Sequence, residues 1–274
     1  MKALLVGLGA ALILSTAGVV CLGQSAKSPM FNTAGTGAKA ADIEAAVALI
    51  CKAKDRTLAK DGKISGCRTC PEGTDFHGIG NSSWEMYAET PGHFTSAQED
   101  NLILDGTGCD SHASNFGGSF IFSFRDGKAR LMRYGKGLVT SQCHKFAYAD
   151  RRNFLICQRG WSGQGENDEN LFMASFGVGG KETVKYLLST TDSTGTCADD
   201  SAQVQESKIE SVTFTPADSE KITGLTVTAK LGTVPCARAG KGAAKSYSVE
   251  FLFDGTKFVV APASRAAWRR FEKD

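Results

Sequence analysis

Gly117-Gly-Ser-Phe-Ile-Phe-Ser-Phe124, Arg125-Asp-Gly-Lys128 and Ala129-Arg-Leu-Met-Arg-Tyr134 read in succession as strand, tight turn and strand. Asp-Gly suits such a turn because glycine accepts the positive backbone angle that hairpin twist demands. Strand-like runs follow at 144–148 and 153–158, with Cys143 and Cys157 placed for a disulfide between them. A third run, 170–176, comes after a glycine-rich segment. Residues 117–176 are thus expected to form an antiparallel meander with a covalent staple.

Beyond this stretch the period stays near two. Runs at 183–188, 207–215, 223–231 and 246–253 alternate or run apolar, with β-branched and aromatic residues that pack well on a pleated surface. Phe251-Leu-Phe-Asp254-Gly255-Thr-Lys-Phe-Val-Val260 reprises Phe122-Ser-Phe-Arg-Asp126-Gly127-Lys-Ala-Arg-Leu131, a hint of a duplicated sheet unit. Residues 264–273 read as a short helix with Ser264 as cap and Trp268 and Phe271 available to dock on the sheet.

Upstream, Ile43, Val47, Ile50 and Leu58 recur at helical spacing among alanines and predict one amphipathic helix over 40–59, stopped by Asp61-Gly62. Trp84-Glu-Met-Tyr87 is a candidate short strand. At 94–100, Thr or Ser followed three residues on by Gln or Glu predicts a capped helix ending near Asp105-Gly106. The fold class is therefore mainly β: an antiparallel sheet, either a sandwich or a propeller-like meander, with one N-terminal helix. Residues 40–274 are expected to form one disulfide-rich domain.

Met1-Lys2, the apolar run 3–14 and small residues through Gly23 have the make-up of a secretory signal peptide, 1–23. Residues 24–39, rich in Ser, Thr, Gly and Ala, read as a flexible linker. Cleavage after Gly23 would discard Cys21 and leave an even set of eight: Cys51, Cys67, Cys70, Cys109, Cys143, Cys157, Cys197 and Cys236. Behind an export signal, an even set points to four disulfides and a periplasmic or secreted location. The expected pairs are Cys143 with Cys157 and Cys197 with Cys236, the other four pairing among themselves. With 31 basic and 29 acidic residues the chain carries +2, and +1 without Lys2, a balance that argues against nucleic acid or anionic membrane as partner.

Catalytic signatures are sparse. Cys67-Arg-Thr-Cys70 has the spacing of a redox dithiol, but no βαβ pattern surrounds it, so a structural role is expected. Cys109, His112, Cys143 and His144 offer zinc-type donors, yet adjacent Cys-His shares one metal poorly, and no metal or cofactor is expected. No serine elbow is present: Gly160-Trp161-Ser162-Gly163-Gln164 lacks the second glycine where it would be needed. A hydrolase would have to use carboxylates such as Asp75, Glu85, Glu166 or Asp168.

The segment 158–170, Gln-Arg-Gly-Trp-Ser-Gly-Gln-Gly-Glu-Asn-Asp-Glu-Asn, reads as a long loop with an aromatic ring among glycines, amides and acids. Trp161, Gln164, Glu166, Asn167 and Asp168 are its candidate binding residues. They suit stacking on a sugar ring with polar groups on its hydroxyls, or contact with an envelope protein. The acidic run also has the hard oxygens calcium takes, without the spaced helix-loop-helix pattern. The expected function is an exported, non-enzymatic binding or structural module. The alternatives are a carboxylate-dependent hydrolase of envelope polymers and a secreted protein inhibitor.

Overall fold

A computed structural model describes residues 37–111, 117–148, 151–216 and 221–272. The expected leader and residues 24–36 of the expected linker lie outside them, as does His112. Helix α1 (Ala40–Ile50) leads into sheet A, whose strands pair antiparallel in chain order: β1 (Arg56–Leu58), β2 (Ile64–Cys67), β3 (Trp84–Gly92), β4 (Asp100–Thr107), β5 (Gly117–Arg125) and β6 (Lys128–Lys136). Sheet B is a second meander of β7 (Cys143–Ala147), β8 (Asn153–Gly163), β9 (Glu166–Phe176) and β10 (Glu182–Asp192). Sheet C holds β11 (Gln203–Thr215), β12 (Gly224–Pro235), β13 (Lys245–Phe253) and β14 (Phe258–Val260), and α2 (Arg265–Phe271) follows it.

Side-chain alternation sorts these strands into stacked layers. On β4 and β5, Leu102, Leu104, Phe120 and Phe122 meet Ala46 and Val47 of α1, while Ile103 and Ile121 turn to the opposite face. There they pack on Leu155, Cys157, Phe172, Ala174 and Phe176 of sheet B. The other face of the same two strands, Phe154, Ile156, Leu171 and Met173, packs on Leu225, Val227, Val249 and Phe251 of sheet C. Sheet B is thus covered on both faces, which is why Phe154-Leu-Ile-Cys157 and Leu171-Phe-Met-Ala174 are apolar without alternation. Each such side chain, fully buried, stabilises by about 1.5–3 kcal/mol.

Four cysteine pairs are at disulfide distance: Cys51–Cys67, Cys70–Cys109, Cys143–Cys157 and Cys197–Cys236. Cys143 and Cys157 are direct cross-strand partners of β7 and β8. The dithiol reading of Cys67 and Cys70 is excluded, because each pairs elsewhere. At the end of the chain Trp268 meets Phe251 edge-on, its ring centroid 5.6 Å away, and Phe271 meets Tyr247.

Several local expectations are corrected. The N-terminal helix stops at Ile50, not Ala59, since Cys51 turns to extended backbone and carries its sulfur to Cys67. The chain then pairs β1 with β2, and Leu58 is left 63% exposed. No helix starts at 94–100. The Phe94 and Thr95 amides instead donate to the buried Asn101 carboxamide, at 2.7 and 3.0 Å, and β4 begins where the helix was expected. Ser264 does not cap α2, since its Oγ accepts the Glu250 amide. Asp126-Gly127 is the expected two-residue turn, with φ of 51° and 71°. Asp254 instead uses Oδ1 to gather the Thr256 and Lys257 amides in a longer turn.

The twice-covered layer sets the stability test. Leu155→Ala, at a site 0% exposed, is expected to cost about 2–5 kcal/mol. Val178→Ala, at a site 95% exposed, is expected to stay within about 0.5 kcal/mol, both read from denaturant unfolding at one pH.

Candidate functional site

Residues 158–170 do not form a loop. β8 and β9 pair continuously from Leu155↔Ala174 out to Gly163↔Glu166, and Gln164-Gly165 turns the chain with φ of 53° and 85°. Two successive positive angles make the mirror-image turn whose twist matches its strands. The turn is propped: a Cβ on Gly165 would stand 2.6 Å from the Gly195 carbonyl oxygen, so the two glycines meet backbone to backbone. Below it, Glu169 reaches back to accept the Ile209 amide at 2.8 Å, at the bulge of β11.

The face of sheet B that packs on sheet A runs out from under it along this hairpin. Leu155 and Cys157 are buried, Arg159 is half-buried, and Trp161 is 47% exposed. Trp161 lies over Gly163, where a Cβ would come 2.6 Å from the ring. Asp168 is its cross-strand partner and accepts the Thr191 hydroxyl at 2.6 Å, and Asn170 accepts that of Ser189 at 2.7 Å. Nearer sheet A, Arg159 sits over the Phe172 ring at 5.7 Å and donates to the Tyr186 hydroxyl at 3.3 Å. Tyr186 is 57% exposed. From strand spacing and rise, Trp161 and Tyr186 stand about 16 Å apart.

A cleft of about 130 Å³ lies at the sheet A margin, lined by Leu138, Arg159, Phe172, Glu182 and Tyr186 with Lys136. It is smaller than the several hundred cubic ångströms that enclose a small-molecule ligand. Burial pushes the Glu182 carboxyl up, against the pull of Arg133 and Arg159. Lys136 is committed to Asp75 at 2.8 Å, and this hydrogen bond, with the Ser111 amide, draws Asp75 down to about 2. Behind that pair the Tyr134 hydroxyl donates to Asp110.

The hairpin therefore brings Trp161, Glu166 and Asp168 to one face and separates the rest. Gln164 is at the turn, and Asn167 belongs to the opposite face with Glu169. Arg159, Asn170, Tyr186, Ser189 and Thr191 were missed. The signal for them was Gly163-Gln164-Gly165-Glu166, a glycine-bearing two-residue turn whose recognition puts Arg159 in phase with Trp161. Of the zinc-type donors, Cys109 and Cys143 are in disulfides and His144 stacks on Phe214 at 4.1 Å. Among the described residues no group of three or more His, Cys, Asp or Glu is placed to hold a metal, and no helix is long and apolar enough to cross a membrane. No protein-family model, curated protein or solved structure matches the chain.

Two tests follow from this geometry. Gly165→Ala combines a left-handed backbone with the Gly195 contact and is expected to cost at least about 1–2 kcal/mol in thermal or denaturant unfolding. Asp75 titrates lower folded than the roughly 3.9 of an unfolded chain, so its stabilising contribution is complete above that value and is lost as pH falls through about 2. Lys136→Met should flatten the acid limb of stability between about pH 4 and 2.

Proposed function

We propose that the protein is an exported, non-enzymatic binding module, and that the open face of the β8–β9–β10 hairpin system takes a linear glycan. One observation carries this reading: Trp161 and Tyr186 display aromatic surface on the same face, with a hydrogen-bonding row between them. Aromatic rings offer apolar surface to the ring hydrogens of a sugar, and Arg159, Asp168, Asn170, Ser189 and Thr191 supply donors and acceptors for its hydroxyls. The roughly 16 Å between the rings exceeds one sugar, so the face suits an extended chain lying across the strands. Four staples on an antiparallel fold support the export half of the reading.

The hydrolase alternative has one observation in its favour. Glu166 and Asp168 share the Trp161 face two residues apart, about 6.6 Å along the strand, near the carboxyl spacing of inverting glycosidases. Against it, the face has no walls to exclude water from a reacting bond. An inhibitor reading loses its protruding loop, because the turn is propped on Gly195.

Retention of the chain on immobilised envelope polysaccharides, measured beside its melting temperature, tests the proposal. Trp161→Ala should abolish retention and Tyr186→Ala should weaken it, with melting unchanged in both. Equal retention of Trp161→Ala and the parent chain would refute the reading, and release of new reducing ends by the parent would favour the hydrolase.

A further inference from the structure

Asp105 of β4 is completely buried and faces sheet B. Its Oδ1 lies 2.6 Å from Ser119 Oγ and 2.9 Å from Thr140 Oγ1, and its Oδ2 accepts the Ser141 amide at 2.7 Å. Ser119 Oγ is also 2.7 Å from the Leu138 carbonyl oxygen, and Thr140 Oγ1 is 3.0 Å from Thr90 Oγ1. Among the described residues, Ser119, Thr140 and Thr90 bring three hydroxyl hydrogens to these four contacts between oxygens. The mismatch is sharpest at Ser119, whose single hydrogen faces a carboxyl oxygen and a carbonyl oxygen at once. A proton on Oδ1 closes the chain: Asp105 donates to Ser119, Ser119 to Leu138, Thr90 to Thr140, and Thr140 back to Oδ1.

Charge leads the same way. Among the described residues no Lys, Arg or His forms an ion pair with Asp105. Of the elements packed around it, β3 brings Tyr87, whose hydroxyl bonds Ser141 and feels the Asp105 carboxyl, and β5 and the 138–142 connector bring only neutral groups. Lys136 of β6 is bound to Asp75, Arg133 of β6 and Arg159 of β8 act on Glu182 of β10, and Lys145 of β7 donates to the Pro91 carbonyl. An isolated buried carboxylate is costly, and neutralisation relieves that cost.

We propose that Asp105 is carried as the neutral acid at neutral pH and that this proton latches the connector 138–142, which joins sheets A and B, onto β4 and β5. Deprotonation leaves either Oδ1 or the Leu138 carbonyl facing Ser119 without a hydrogen, in a site water does not reach. The latch therefore loosens with alkali. Burial raises the folded carboxyl above its unfolded value. The sign follows: its stabilising contribution is complete below the unfolded aspartate value of about 3.9 and is lost as pH rises through the folded one.

Carboxyl-carbon NMR of aspartate-labelled protein between pH 5 and pH 9, with Asp105→Asn alongside, tests this. One aspartate resonance of the parent should remain that of a protonated acid at about pH 7 and be missing from Asp105→Asn. The amide can donate to Ser119 and accept from Ser141, so the variant should fold and be at least as stable at alkaline pH. Its folding constant relative to the parent should rise about tenfold per pH unit, then level once Asp105 has ionised in the parent. Should Asp105→Asn fail to fold, the parent spectrum decides alone. The proposal is overturned if every aspartate carbon is a carboxylate by about pH 6, or if Asp105→Asn is weaker than the parent by the same factor at every pH.

Discussion

Burial of sheet B on both faces is the constraint from which the remaining architecture follows. Phe154, Ile156, Leu171 and Met173 on one side, and Leu155, Cys157, Phe172 and Ala174 on the other, leave β8 and β9 no freedom of register. A slip of one residue would exchange the two sets and mismatch both neighbouring layers. With register fixed so tightly, the same pairing continues past the margin of sheet A. Its outer turns become an ordered platform.

The layers also dictate how polar groups are handled inside. Asn101, Asp105 and Ser119 share the face of sheet A that meets sheet B, and each serves a backbone segment that the sheet ladder leaves unpaired. Asn101 collects two amides of the β3–β4 connection, while Asp105 and Ser119 hold the connector to β7. Farther out, Glu206 accepts Lys230 at 2.8 Å and the Gly240 amide at 3.3 Å, close to the Cys197–Cys236 staple. Satisfied groups of this kind select one arrangement of the layers, since each costs more if left bare than it contributes when paired.

Much of the fold was legible in the sequence, and the misses have physical causes. The period of two, the Asp126-Gly127 turn and the cross-strand cysteines carry the meander, because local geometry alone determines them. The helix over 40–59 was overread because Leu58 continues the helical spacing, whereas the Cys51 sulfur diverts the chain. The capped helix at 94–100 failed because Asn101, the next residue and already on β4, takes the Thr95 amide that the capping pattern would have used, and the Phe94 amide with it. At 158–170, polar residues concealed a hairpin: once strands leave the covered region they no longer need apolar side chains, so composition resembles that of a loop. The order in which three sheets stack is a long-range property, and no single stretch encodes it.

Amide hydrogen exchange along β8 and β9 tests the central claim most directly. A strand pair extending rigidly from a doubly covered sheet should protect the Arg159, Trp161, Asp168 and Asn170 amides as it does those at the Phe154 end, with protection falling at the Gln164-Gly165 turn and at the Gly160 and Ser162 amides, which face the edge that β7 leaves uncovered. Fast exchange throughout 158–170, with protection confined to the apolar segments, would contradict it and return those residues to an irregular loop.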